Sequence, residues 1–233
     1  MKFATGGGGL ASGGREGVIY SGSRSNSIFV VGLLKTIAMH TDNNFLLSFF
    51  QKNGLTAAGV TTEAIACFEE KEITKNSFHL RERMISDEYM IVERGFLRAY
   101  THDVDGNEVT TGFYSPGNLV LEPASFFHRT PSKENVQALI DSKGWVITFE
   151  KLNALFHAHV AFREFGRSLL VKGFAALKER MLSTITETAE QRYLTLLQNK
   201  PDIFQQAALK HIASYLGVTD TSLSRIRKEL SRK

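Results

Sequence analysis

Leu209-Lys-His-Ile-Ala213-Ser-Tyr-Leu-Gly217-Val-Thr-Asp-Thr-Ser-Leu223-Ser-Arg-Ile226 is the stretch on which the reading of this chain turns. Two helices meeting at a steep angle need a small residue at their contact, a glycine in the turn and apolar anchors on the second helix. Ala213, Gly217, Leu223 and Ile226 supply these in order, and Val218 completes the buried set. Thr219 or Asp220 is placed to cap the second helix. The open side of that helix carries Thr221, Ser222, Arg225, Arg227 and Lys228, side chains suited to phosphates and base edges. A helical hairpin that only covers another layer is the plainer alternative, since a charge run is commonly just a solvated face. Here the charge coincides with the second helix. Residues 219–233 hold Arg225, Arg227, Lys228, Arg232 and Lys233 against Asp220 and Glu229, in a chain whose net charge is +4.

Upstream, Phe162, Phe165, Leu169, Phe174, Leu177, Met181 and Ile185 keep helical spacing, which predicts one long helix over residues 160–186. Its apolar stripe is wide enough for two packing surfaces, one of them a second copy of the chain. Gly166 and Gly173 lie nearly on one face, where missing side chains would let paired helices approach. The remaining residues, 187–233, form the helix-turn-helix domain.

The middle of the chain has a different texture. Glu88 to Val92, Gly95 to His102, Glu108 to Tyr114 and Trp145 to Phe149 are β-branched and aromatic runs separated by turn signals at Gly95, Asp105-Gly106 and Pro116-Gly117. Asp-Gly between two such runs predicts a hairpin, so this region reads as an antiparallel β roll. Phe45, Phe49, Phe50, Ala64, Ile65 and Phe68 recur at helical spacing, and Gly54 and Gly59 divide that stretch into two short helices. Residues 43–159 thus make one α+β unit. Residues 1–42 are a lead-in whose first 27 positions hold eight of the chain's 19 glycines and five serines, too little side chain to offset ordering entropy. A phosphate loop is excluded there because Leu10 and Ala11, not Lys-Ser or Lys-Thr, follow the glycines.

Composition narrows the class. A single cysteine, Cys67, excludes a disulfide framework, an all-cysteine zinc site and a cysteine-ligated iron-sulfur cluster, and reads as a small core residue in a reducing, cytoplasmic setting. The apolar run from Ile28 to Leu34 ends at Lys35, far short of a membrane span, and has no cleavage signal. His157 and His159 would face two sides of a helix and His128 would be solvated, so no metal site is expected. No nucleophile elbow, paired-carboxylate signature or dinucleotide fingerprint is found, and the chain is not expected to be an enzyme.

Glu88-Tyr-Met-Ile-Val-Glu-Arg-Gly95-Phe-Leu-Arg-Ala-Tyr, followed by Asp105-Gly106-Asn-Glu108 and by the carboxy-terminal helix-turn-helix, resembles the catabolite-activator and fumarate-nitrate-regulator (Crp/Fnr) superfamily of bacterial transcription factors. The resemblance covers about residues 43–231. It implies a cyclic-nucleotide-binding-like roll, a double-stranded β-helix, on a homodimer whose long helices pair. Its recognition helices would enter successive major grooves of double-stranded DNA, with RNA polymerase as a further partner. It also implies that Thr221 and Arg225 face the bases, with Asp220 and Ser222 near the backbone or adjacent bases.

The family's phosphate-binding cassette reads Gly-Glu, then Arg-Ser or Arg-Thr about ten residues later. Alignment puts Glu122 at the ribose position, but Leu121 where the glycine stands and Ser132-Lys133 where Arg-Ser stands. The anion clamp is missing, and Lys133 or Arg129 would replace it only as a point charge. The resemblance therefore implies no cofactor and no control by cyclic AMP, leaving an unidentified small-molecule effector near Glu122, Ser132 and Lys133, or none. The alternative reading is a ligand-binding module of the cyclic-nucleotide type whose helical tail is a lid or dimer contact.

Overall fold

The computed structural model describes residues 44–232. The glycine-rich lead-in expected over residues 1–42 lies outside them. Helices α1 (Asn44–Lys52) and α2 (Ala58–Ala66) open the described chain. Gly54, at φ +97°, turns the backbone between them, but Gly59 lies inside α2 and does not break it. That position is in the exposed first turn, where the glycine penalty is small. Cys67 follows as the helix's C-cap, half-buried against the core, and burial pushes its thiol pKa up.

Eight strands follow: β1 (Glu69–Ile73), β2 (Phe78–Leu80), β3 (Glu88–Arg94), β4 (Leu97–His102), β5 (Glu108–Tyr114), β6 (Leu119–Val120), β7 (Asn135–Ala138) and β8 (Ser142–Thr148). They form two four-stranded antiparallel sheets, ordered β1-β8-β3-β6 and β2-β7-β4-β5. The expected hairpin joins β4 to β5, with His102 opposite Glu108. The Asp103 carboxylate accepts from the Asp105 and Asn107 amides, and those hydrogen bonds hold its pKa below the ordinary value.

The run Tyr89-Met90-Ile91-Val92 is apolar without alternation because β3 is covered on both faces. Met90 and Val92 turn inward, to a core with Leu97, Ala99, Val120, Val136 and Val146. Tyr89 and Ile91 turn outward, to a layer with Leu46, Phe50, Phe126, Leu152, Phe162 and Phe165. His79 is almost fully enclosed, its Nδ1 has no hydrogen-bond partner, and burial followed by the charge of Lys71 lowers its pKa to about 3. The unfolded chain therefore binds this proton more readily, so stability present above pH ~6.5 is lost as pH falls toward the folded value. Thermal unfolding followed from pH 7 to 4 should show that decline, and His79→Leu should flatten it.

Helix α3 (Pro123–His128) sits between β6 and β7, and α4 (Phe149–Ala158) follows β8. The long helix α5 (Val160–Thr186) spans 27 residues. His157 and His159 do not lie on it. His157 lies in the last turn of α4, while His159 is the break between the two helices, with Nε2 2.9 Å from Glu63. Only Phe162, Phe165 and Gly166 of α5 are buried, whereas Leu170, Val171, Phe174, Leu177, Met181, Leu182 and Ile185 are exposed. The two glycines differ in role. A Cβ on Gly166 would come within 2.6 Å of Phe156, so that glycine lets α4 pack on α5 within one chain, while Gly173 faces open space.

Helices α6 (Ala189–Asn199), α7 (Asp202–Gln206), α8 (Leu209–Leu216) and α9 (Asp220–Leu230) complete the described chain. The Thr188 hydroxyl and Gln191 side chain make a reciprocal capping box that starts α6 immediately after α5 ends. The terminal helices share a core with the roll, in which Phe96 and Phe113 pack with Tyr193, Leu196, Ile212, Leu216 and Leu223.

Candidate nucleic-acid interface and effector cavity

Helix α8 buries Ile212, Ala213 and Leu216. Gly217 ends it in the left-handed conformation at φ +68°, where a side chain would be strained, and the Val218 amide then donates to the Ala213 carbonyl. Of the two cap candidates it is Thr219 that serves, its hydroxyl accepting from the Ser222 amide at 3.2 Å. Leu223 is 1% exposed and Ile226 partly buried, which fixes the rotation of α9. Asp220, Thr221, Ser222, Arg225, Arg227 and Lys228 are consequently all exposed. Thr221, Arg225 and Lys228 stand at i, i+4 and i+7, one face of the helix. Arg225, Arg227 and Lys228 make no ion pair among the described residues. Arg227 and Lys228 complement the negative carboxy-terminal end of the helix dipole.

The bonds that seat this unit join residues far apart in sequence. Ser214 Oγ donates to Thr110 Oγ1 at 2.8 Å and accepts from the Thr110 amide at 3.1 Å. Arg180 of α5 donates to the carbonyls of Thr111 and Tyr215, and its guanidinium lies 3.9 Å from the Tyr215 ring centroid. Arg192 donates twice to the Leu216 carbonyl, at 3.2 and 3.0 Å. Sequence reasoning missed these arginines, because nothing local distinguishes an arginine that will meet a free helix-end carbonyl from one left in solvent.

The expected effector residues are not brought together around a cavity. Glu122 caps α3, its carboxylate accepting from the Ser125 amide. Ser132 is buried, with its hydroxyl donating to the Glu134 carbonyl at 2.8 Å and accepting from the Glu134 amide at 3.0 Å. The Lys133 carbonyl accepts from Thr101, and the residue is exposed. Arg129, the other candidate replacement for the missing clamp, donates to the Ser86 carbonyl and the Asp87 carboxylate. The cavity that does lie between roll, α5 and α8 has a volume of about 510 Å³ and is lined by Tyr114, Leu121, Glu134, Leu177, Arg180 and Tyr215, among others. Burial pushes the Glu134 carboxyl above its ordinary pKa, and the nearby charge of Glu122 adds to the push. A second, larger cavity of about 900 Å³ separates the β4–β5 hairpin from the amino end of α9.

Among the described residues no group of histidine, cysteine or carboxylate side chains could hold a metal ion, and no helix is long and apolar enough to cross a membrane.

Residues 70–159 match the family model of the cyclic nucleotide-binding domain. Solved structures extend the likeness to the carboxy-terminal helices. FixK2 from Bradyrhizobium japonicum superposes with a TM-score of 0.59 at 20% identity, over 71% of this chain and 85% of that one. CLP from Xanthomonas campestris, a c-di-GMP-responsive global regulator, gives 0.59 at 15% identity, over 75% and 92%. A regulator assigned to the Crp/Fnr family from Eubacterium rectale gives 0.60 at 15% identity, over 74% and 82%. A search of curated proteins by sequence finds no match. The described chain is thus an α+β protein with a cyclic nucleotide-binding-type β roll and the fold of Crp/Fnr regulators.

Proposed function

We propose, from the Crp/Fnr fold that this chain carries, that it is a homodimeric, sequence-specific DNA-binding transcription regulator acting in the cytoplasm, with the roll as its sensory part and α9 as its recognition helix. RNA polymerase is the further partner this reading implies, and catalysis forms no part of it. The observation that carries it is the exposed face of Thr221, Arg225 and Lys228 on a helix whose other side is anchored by Leu223. Such a face combines a guanidinium able to pair bidentately with guanine and an ammonium suited to a phosphate. DNA selected from a random pool and then measured by gel shift tests it. Arg225→Ala should weaken binding by about 1–3 kcal/mol and relax preference at one base position, whereas Lys228→Ala should weaken every sequence alike and flatten the salt slope by about one unit. Salt-independent, non-saturable retention of DNA would reject the assignment.

Cyclic AMP is not the effector in this reading. A cyclic phosphate entering the cavity beside α5 would meet the Glu134 carboxylate where a charge clamp is needed, with Arg129 already committed to Ser86 and Asp87. Arg180 is the cation there, and two of its five N–H donors already serve main-chain carbonyls. Loss of a bidentate charged pair on a desolvated phosphate costs several kcal/mol. Calorimetric titration should show no saturable binding at ~100 μM cyclic AMP or cyclic GMP, a range that a cellular effector must reach. Micromolar binding abolished by Lys133→Ala would show instead that a phosphate site survives in altered form.

A further inference from the structure

We propose that His211 is a proton-sensitive latch between the roll and the helix-turn-helix, neutral while α8 is seated on β5 and protonated once α8 leaves it, so that mild acid releases the recognition unit from the roll.

The latch follows from how α8 sits. Ser214 lies one turn beyond His211, and its bonds to the Thr110 hydroxyl and amide turn that face of α8 onto β5. His211 is brought to the same seam, where it lines one space with Arg98, Glu108 and Lys210. Its Nδ1 is buried and has no hydrogen-bond partner among the described residues. Arg98 is 1% exposed, with Nε donating to Thr110 at 2.8 Å, Nη1 donating to Glu108 at 2.6 Å, and Nη2 unmet among the described residues. The imidazole thus shares its seam with a buried guanidinium. A proton on His211 would set a second cation beside it, at a contact where charge is costly unless paired.

The surrounding charges do not offset that cost. From β5, Glu108 is already engaged by Arg98, and in the hairpin Asp103 is held by its own turn. On α8 itself Lys210 adds a cation, and on the first turn of α9 Asp220 adds an acid. Arg192 of α6 is bound to the Leu216 carbonyl at the far end of α8, and Asp202 stands on the first turn of α7; neither is among the charges that act on the imidazole. Burial first, then Arg98 and Lys210, hold the His211 pKa down at about 4, against the upward pull of Glu108 and Asp220.

Once α8 leaves the roll, the ring regains water and loses Arg98, and its pKa returns toward ~6.5. The seated form therefore binds the proton less readily. Seating is fully favoured above pH ~6.5 and weakens as pH falls toward the seated value of about 4. Between pH 7.5 and 5.5 this linkage has a ceiling of about tenfold in the seating equilibrium. Because the ring is only half-buried, solvent screening trims the effect to about three- to tenfold. In the DNA-binding reading above, release frees α9 from the orientation that the roll imposes. The latch rests on that reading for this consequence alone, and its test uses no DNA, so the two fail separately.

Hydrogen exchange of the full-length protein measures the seating. Amides of residues 209–216 are followed by mass spectrometry at pH 7.5 and 5.5, each corrected for its intrinsic exchange rate. Protection should fall about three- to tenfold in the wild type and less than about twofold in His211→Gln, which keeps a neutral polar side chain. His79 is common to both proteins, so acid effects inside the roll cancel in the comparison. Histidine ring NMR on the unsubstituted protein should show His211 titrating below pH ~5, a readout that stands even where His211→Gln fails to fold. Undiminished protection at pH 5.5, a fall that persists in His211→Gln, or a His211 ring titrating near pH ~6.5 overturns the proposal.

Discussion

If the proposed dimer forms through α5, replacing Phe174 and Ile185 together by Glu should leave the chain folded but monomeric, and should lower its affinity for selected operator DNA by about 10²- to 10⁴-fold. Both side chains belong to the α5 row that this chain leaves uncovered, at 69% and 72% exposure. Nothing inside the chain depends on them, so the substitution spares the fold. Burying a large apolar side chain against a second copy contributes roughly 1.5–3 kcal/mol, and the row holds Leu170, Val171, Leu177, Met181 and Leu182 besides these two. An uncompensated carboxylate at such a contact reverses that gain. Each recognition helix would then bind alone, without the second half-site ~34 Å away that a dimer engages. Sedimentation velocity and gel shift on the same variant read the two effects separately. A dimer that survives with unchanged operator affinity would remove α5 from the interface.

Gly95→Ala should destabilise the chain by at least about 3 kcal/mol, the largest effect expected of so small a change. Gly95 turns between β3 and β4 at φ +103°, a conformation that a side chain strains, and a Cβ there would lie 2.5 Å from the Ser142 Cα. Main chain cannot yield as a side chain can. Ser142 is also fixed, since its hydroxyl accepts from the Phe96 amide at 3.1 Å and donates to the Ile140 carbonyl at 2.8 Å. Any shift therefore moves Phe96, which stacks on Phe113 with ring centroids 5.6 Å apart beneath the terminal helices. Gly106→Ala is the control. That hairpin glycine has φ +81° but open space around it, so only backbone strain applies and about 1 kcal/mol is expected. Urea unfolding of the three proteins separates collision from strain; equal midpoints for the two variants would show that the Ser142 contact is relieved at no cost.

The elements legible in the sequence are those whose causes lie within a few residues. Asp105-Gly106 makes its turn through Asp103 and Asn107. The Ala213, Gly217 and Thr219 spacing makes the helix-turn-helix through a buried small residue, a left-handed cap and a hydroxyl cap. The α5 stripe reads as one long helix because period and length are local properties, and for the same reason α9 shows in advance which of its residues face outward. Gly166 was legible only as a small residue; that its missing side chain admits Phe156 of the preceding helix, while Gly173 admits nothing of this chain, depends on how α4 folds back.

The cavities belong to the other class. Lys133 and Arg129 had the right charge and the right place in the sequence, but the turn after α3 exposes one and ties the other to Ser86 and Asp87, and Glu134 takes the position facing α5. Arg98 looks like an ordinary strand arginine until β5 supplies Glu108 and Thr110 to neutralise and bind it, and α8 closes over Thr110 through Ser214, 104 residues away. By itself the sequence determined the long helix, the helix-turn-helix, the hairpin and the outward face of α9, because hydrophobic period, capping and turn strain act between near neighbours. Only the tertiary structure decided which charges are buried, paired or left wanting a partner, because desolvation and hydrogen-bond completion depend on segments that meet only when the whole chain packs.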